Sequence, residues 1–195
     1  MMSDDQAKNQ ENNQEQANPA PDNAQENAQK NAPPFQFLIQ YLKDVSFESP
    51  GAPDIFKKSP QVAPKFDIDV NTKSLGGRDI EVIVNIDVKG QIVEAQPKGS
   101  EPPFKITDEL AYIAELSQCA VIRINNMPKE AIASVVMVEV PTLLYPFLRH
   151  ATINLIRDGG FPPPQLPLIN FLNLARNKNE QAKQAQDAEK QAAEK

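Results

Sequence analysis

Tryptophan is absent from this chain of 195 residues, and cysteine and histidine occur once each, as Cys119 and His150. With one thiol no intrachain disulfide can form, so the fold must rest on its own apolar core, and the chain suits a reducing compartment. With one imidazole, a histidine-based metal site or catalytic dyad lacks partners, and His150 reads as a helix surface residue. Cys119 stands between Gln118 and Ala120 with no CxxC, which fits a small packed residue better than a nucleophile. Glycines adjoin only at Gly76-Gly77 and Gly159-Gly160, which suit a turn and a helix stop rather than a phosphate-cradling loop. No basic segment followed by an apolar one opens the sequence, so no cleavable export signal is expected. The longest apolar run, Ala131 to Leu148, is interrupted by Glu139, Pro141 and Pro146 and reads as a packed helix rather than a membrane span. An excess of positive charge is lacking too. Lys and Arg number 20 against 26 Asp and Glu, a net charge of −6 without a basic cluster, which argues against nucleic acid as a partner. No catalytic constellation, cofactor motif or metal site emerges, and the chain is not expected to be an enzyme. Sheet carboxylates acting on a small molecule would need a cleft that their face does not offer.

What is present divides into three parts. Residues 1–33 consist almost wholly of Gln, Asn, Ala, Asp, Glu and Lys without an aromatic residue, and their acids outnumber Lys8 and Lys30. Such a segment buries too little apolar area to offset its ordering entropy, so a disordered acidic tail is expected. Residues 34–175 carry the apolar patterning of one folded domain. Residues 176–195 turn to Ala, Gln, Lys and Glu, a polar helix extension that frays.

Within the domain, Phe35, Phe37, Ile39, Tyr41, Val45 and Phe47 alternate with Gln36, Gln40, Asp44, Ser46 and Glu48, which predicts a strand with one apolar and one polar face. Pro50, Gly51 and Pro53 end it, and the loop Ser49 to Pro64 carries Ile55 and Phe56. Alternation returns over Lys65 to Asn71, a short strand. It returns again from Ile80 to Val88, where Ile80, Val82, Val84, Ile86 and Val88 oppose Asp79, Glu81, Asn85, Asp87 and Lys89 with Ile83 as the exception. After a Pro-rich loop, Pro97 to Pro103, a last strand runs from about Ile106 to Ile124. Four strands in succession favour one antiparallel sheet. Pro128 and Glu130 suit a helix start, although Val135, Val136, Val138 and Val140 suit a strand equally. From Thr142 to Asp158 the apolar residues recur at helical spacing over more than one face, which asks for a second cover beyond the sheet. FPPPQLP, Phe161 to Pro167, is an extended link, and a closing helix is expected from Leu168 to Ala175.

Two features point to binding. The polar sheet face gathers Asp44, Glu48, Asp67, Asp69, Asp79, Glu81, Asp87 and Glu115 against Lys43, Lys65, Lys89 and Arg123, either ordinary solvation or a platform for a basic partner. The two loops hold Ile55, Phe56, Phe161 and Leu166 between prolines, either packing under the loops or a groove for extended peptide.

The stretches KDVSFESPGAPDIF at Lys43 to Phe56, AYIAEL at Ala111 to Leu116 and PTLLYPFLRHATINLIRDGGFPPPQLPLINF at Pro141 to Phe171 resemble the SecB export chaperones of Gram-negative bacteria. The resemblance spans about Phe35 to Phe171. It implies an α+β fold, a four-stranded antiparallel sheet with helices packed on one face, assembling as a dimer of dimers. It implies a cytoplasmic, ATP-independent chaperone that binds unfolded preproteins and delivers them to the SecA motor, without a cofactor. By position, the motor-docking residues fall on Asp44, Glu48, Ile113 and Glu115. The client groove falls on Phe47, Ile55, Phe56, Phe66, Ile68, Leu168 and Phe171. The tetramer-forming helix falls on Thr142 to Asp158, through Leu144, Phe147, Leu148, Ala151 and Leu155. A SecB-like chaperone dedicated to one partner, such as an antitoxin, is the alternative. The long Gln/Asn-rich tail and Pro64, where a β-branched groove residue is usual, depart from the family's best-known members.

Overall fold

The computed structural model describes residues 33–94, 105–125 and 127–193. The expected disordered tail and the Pro97 to Pro103 loop lie outside the described residues. The domain begins at Pro34. Its elements are β1 (Phe35–Glu48), the short α1 (Asp54–Lys58), β2 (Val62–Gly76), β3 (Asp79–Val93), β4 (Ile106–Ile124), the long α2 (Lys129–Asp158) and α3 (Phe171–Ala193). The four strands form one antiparallel sheet in the order β1-β4-β3-β2. The loop after β1 therefore carries the chain to the opposite edge, and only β2 and β3 make a tight hairpin. That turn needs Gly76 and Gly77, whose φ of 97° and 59° other residues adopt at a steric cost.

The alternation along β3 and β4 governs the core. Val82, Val84, Ile86 and Val88 of β3, and Ala114, Leu116, Ala120 and Ile122 of β4, lie buried beneath α2. The helix answers with Val140, Leu144, Leu148, Thr152 and Ile156, all fully buried at spacings of three to four residues. The segment Pro128 to Val140 is helical, not a strand. It is α-helical over Lys129–Ser134 and π-helical over Val135–Glu139, and the wider turn falls just before Pro141, which has no N–H to return to the preceding turn. Lys129–Asp158 is long and apolar enough to cross a membrane, but its inward stripe is committed to the sheet.

Three expectations change. β2 is longer than Lys65 to Asn71, and the closing helix starts at Phe171, leaving Leu168 in the extended link. The third concerns β1. Register shifts between Phe37 and Ile39 and between Leu42 and Asp44 leave Leu38 and Lys43 as extra residues against β4. Phe35, Phe37, Val45 and Phe47 pair with Ile124, Ile122, Leu116 and Ala114 on the helix side, as expected. Ile39 and Tyr41, between the bulges, pair with Val121 and Cys119 and lie on the other side.

Candidate functional site

The sheet face away from α2 is built rung by rung from the strand pairing. Asp44, Ser46 and Glu48 of β1 stand opposite Ser117, Glu115 and Ile113 of β4, so pairing brings the four expected docking residues onto one side. The Glu115 rung continues to Asp87 and then Asp67, placing three carboxylates directly across from one another. Like charges so placed repel, and the neighbouring rung of Lys65 and Lys89 offsets them only from the side. A shallow depression of about 220 Å³ lies among Lys65, Phe66, Asp67, Asp87, Lys89 and Glu115. Further along, Arg123 holds Asp79 with two bonds of 2.7 and 2.8 Å, and the guanidinium keeps that carboxyl below its ordinary range.

One carboxylate on this face is buried. Glu81 is only 4% exposed. The Tyr41 hydroxyl donates to its Oε1, and the Lys43 ammonium donates to the same atom at 2.7 Å. Both reach over β4, which separates β1 from β3. Lys43 first and Tyr41 second hold the Glu81 carboxyl below its usual range, while Tyr41 is pushed up to about 12 by donating to it. Cys119 lies beneath, and burial pushes its thiol up to about 11, which disfavours a reactive thiolate. Among the described residues no group of three His, Cys, Asp or Glu is disposed to hold a metal ion.

A second surface lies at the end of the sheet where β1 gives way to the crossing loop. Ser49 Oγ donates to the Ala111 carbonyl at 3.0 Å and seats that loop against β4. Phe47, Tyr112 and Phe161 form an aromatic cluster with ring centroids 4.9 to 6.4 Å apart. Phe56 joins it at 5.2 Å from Phe161 while remaining 44% exposed. Gly159 makes room for the cluster, since a Cβ there would stand 2.1 Å from Phe47 Cζ. Beside it opens a cleft of about 350 Å³ walled by Pro60, Val62 and Pro64 on one side and Pro162 to Pro164 on the other, with Tyr112 at its floor. Tyr145 Oη and Arg149 Nε donate to the carbonyls of Pro167 and Leu166 at 2.6 and 2.9 Å, fixing the Pro-rich link along α2.

The expected groove residues thus fall in two places. Phe47 and Phe56 belong to the aromatic cluster, and Ile55, beside Phe56 on α1, is buried in the core. Phe66 and Ile68 lie on the helix side of β2, half-buried and buried. Leu168, 88% exposed, and the buried Phe171 border a separate open hollow with Val138 and Thr142. Phe161 and Pro64 already stand out in the sequence as groove positions, whereas Tyr112, Pro60 and Pro162 to Pro164 are brought to the cleft only by the fold. The stripe expected to form the tetramer also divides. Leu144 and Leu148 are fully buried on the sheet, so they cannot meet another chain, whereas Phe147 and its neighbour Leu143 are exposed and Ala151 and Leu155 are half-buried.

Comparison with known proteins bears directly on these surfaces. The protein family described as preprotein translocase subunit SecB matches residues 28–182. The protein-export protein SecB of Granulibacter bethesdensis is 38% identical over 155 residues, 78% of this chain and 86% of that protein. Its counterpart in Rhodospirillum rubrum is 39% identical over 157 residues, covering 79% and 87%. Among solved structures, a Mycobacterium tuberculosis SecB-like chaperone in complex with an antitoxin peptide has a similar fold. Its TM-score is 0.52 at 13% identity, over 75% of this chain and 95% of that one.

Proposed function

The chain belongs to the SecB family of preprotein translocase subunits, and on that premise we propose that it is a cytoplasmic, ATP-independent chaperone that holds unfolded preproteins for export and passes them to SecA. The observation that carries this reading is Phe56. Its half-exposed ring carries the aromatic cluster of Phe47, Tyr112 and Phe161 toward solvent, and Tyr112 of the same cluster lines the Pro-walled cleft, an arrangement suited to taking up apolar side chains from an extended segment. Each aromatic or aliphatic client side chain contributes roughly 1.5–3 kcal/mol when fully buried, less the entropy of ordering the client. A folded client exposes too little apolar surface on extended segments and is passed over.

Four copies, arranged as a dimer of dimers, would bring several clefts onto one body, and a long client engaging more than one gains through effective concentration. The outward face of α2, with Leu143 and Phe147 exposed, is the apolar surface that assembly would cover. Asp44, Glu48, Ile113 and Glu115 serve as the motor-docking surface, where charge complementarity to a basic tail governs on-rate and partner choice.

Light scattering behind a sizing column tests the proposal. The purified chain should run near the mass of four copies and take up an unfolded precursor but not the same precursor folded. A monomer indifferent to unfolded protein would overturn it, and capture of a single specific partner in place of many precursors would point to a dedicated chaperone instead.

A further inference from the structure

The apolar alternation of β1 does not by itself choose how β1 lies against β4. If β1 paired one-for-one from Phe37 onward, Ile39 and Tyr41 would join Phe35, Phe37, Val45 and Phe47 on the helix side, and the hydrophobic pattern would be satisfied except at Lys43. In that straight register Val45 would stand opposite Ala114, Asp44 opposite Glu115 and Glu48 opposite Ala111. The observed register has two bulges, each flipping the strand's faces once. The flips cancel beyond Lys43, so Val45 and Phe47 keep the helix side, but every residue from Asp44 on is displaced two positions along β4, roughly 7 Å. The displacement moves Asp44 from Glu115 to Ser117 and Glu48 from Ala111 to Ile113.

What distinguishes the two registers lies between and within the bulges. Only with Tyr41 on the face away from α2 can its hydroxyl reach Glu81, and only as the extra residue of the second bulge does Lys43 turn its ammonium to the same carboxylate. In the straight register Lys43 would face the apolar side opposite Leu116, which is 2% exposed, and Glu81 would lose both donors. We propose that Lys43 and Glu81, with Tyr41, are positioning residues that lock the bulged register of β1 and so set where Asp44 and Glu48 stand on the docking face. The inference rests on the docking role proposed above. It concerns no contact with the partner itself, only the placing of the residues that make one.

The test uses the full chain with labelled methyl groups, and a short lysine-rich peptide as the docking probe. Lys43→Leu completes the apolar alternation and removes the ion pair. In it Val45 methyl contacts should move from Leu116 to Ala114, and peptide affinity should fall about tenfold as Asp44 and Glu48 leave their places. Glu81→Gln should weaken the register partially. Exchanging the charges, Lys43→Glu with Glu81→Lys, should restore both the Leu116 contact and the affinity, which repair of general stability alone would not predict. Uptake of unfolded client should also weaken in Lys43→Leu, since Phe47 is carried with Asp44 out of its place in the aromatic cluster, and should return in the charge exchange. If Val45 stays opposite Leu116 in Lys43→Leu and Glu81→Gln, the lock is wrong whatever the affinities. If the register moves and affinity does not, the pair does not position the docking face. Should the unaltered chain fail to bind the peptide, the docking reading falls, while the methyl contacts still decide the lock.

Discussion

The two faces of the sheet obey opposite rules. On the helix side, β3 and β4 present buried aliphatic residues to α2, interrupted by Gln118, whose amide donates to the Tyr41 carbonyl, and no charged side chain intrudes. On the other side, one rung of the same strands sets three carboxylates against one another, another pairs Arg123 with Asp79, and a third buries Glu81 under two donors that reach across a strand. A face selected for stability alone would avoid the first arrangement. The contrast fits a helix side organised for the fold and a bare side that carries the docking role proposed above. Substitutions should therefore cost stability on one face and change binding on the other.

The largest effect is expected on the helix side. Leu148 is fully buried against the sheet, and Leu148→Ala should destabilise the chain by about 2–5 kcal/mol, read as a lower urea midpoint. The docking face would be untouched in what remains folded. A loss below about 1 kcal/mol would mean that the sheet and helix close over the gap, and the faces would be less distinct than drawn here.

Glu81 sharpens the comparison because it sits on the binding side yet is buried like the core. Glu81→Gln should cost about 1.5–3 kcal/mol near neutral pH through loss of charge-assisted bonds from Lys43 and Tyr41. Its folded-state carboxyl titrates below the ordinary 4.5 of a free glutamate, so the charged form is favoured by folding. That stability is fully present above pH 4.5 and is lost as pH falls through the depressed folded value. The gap between wild type and Glu81→Gln in urea titrations should accordingly narrow below pH 4.5 and close in stronger acid. A gap independent of pH would mean that side-chain shape, not charge, is what the site requires.

Which of these features could be read from sequence follows from how local each is. β3 alternates without interruption, so its faces, and the solitary Ile83, were legible from residue order alone. β4 was legible in outline, though Gln118 falls on its apolar face, whereas the segment after Pro128 was not, because its valines suit a strand as well as a helix. β1 alternates too, apart from Leu38, Leu42 and Lys43, yet two of its odd residues, Ile39 and Tyr41, lie on the unexpected side. A bulge adds no residue type of its own, and a pair of bulges restores the starting phase, so periodicity passes straight through them. The four residues that the resemblance marks for docking fall on one side of the sheet because they share strand faces. The aromatic cleft was legible only in part, since its two Pro-bounded loops with Phe56 and Phe161 stand out in residue order, whereas Tyr112 joins them only through the strand order β1-β4-β3-β2. Nor could the interface stripe be divided, because a helix apolar on several faces does not say which of them the sheet takes.

The smallest expected effect should also reverse sign. Asp87 stands between Asp67 and Glu115, with a like charge directly across on each side. Asp87→Asn removes both repulsions while keeping shape, and should raise stability by about 0.2–1 kcal/mol, a gain that shrinks as added salt screens the rung. The same substitution should weaken capture of a basic peptide, measured by titration at low salt, because a rung left in mutual repulsion is one that an incoming cation relieves. Stability and binding would then move in opposite directions at one residue, as a surface kept for its partner requires. If Asp87→Asn instead lowers stability, Lys65 and Lys89 already satisfy the rung from the side, and its carboxylates are ordinary solvated charges.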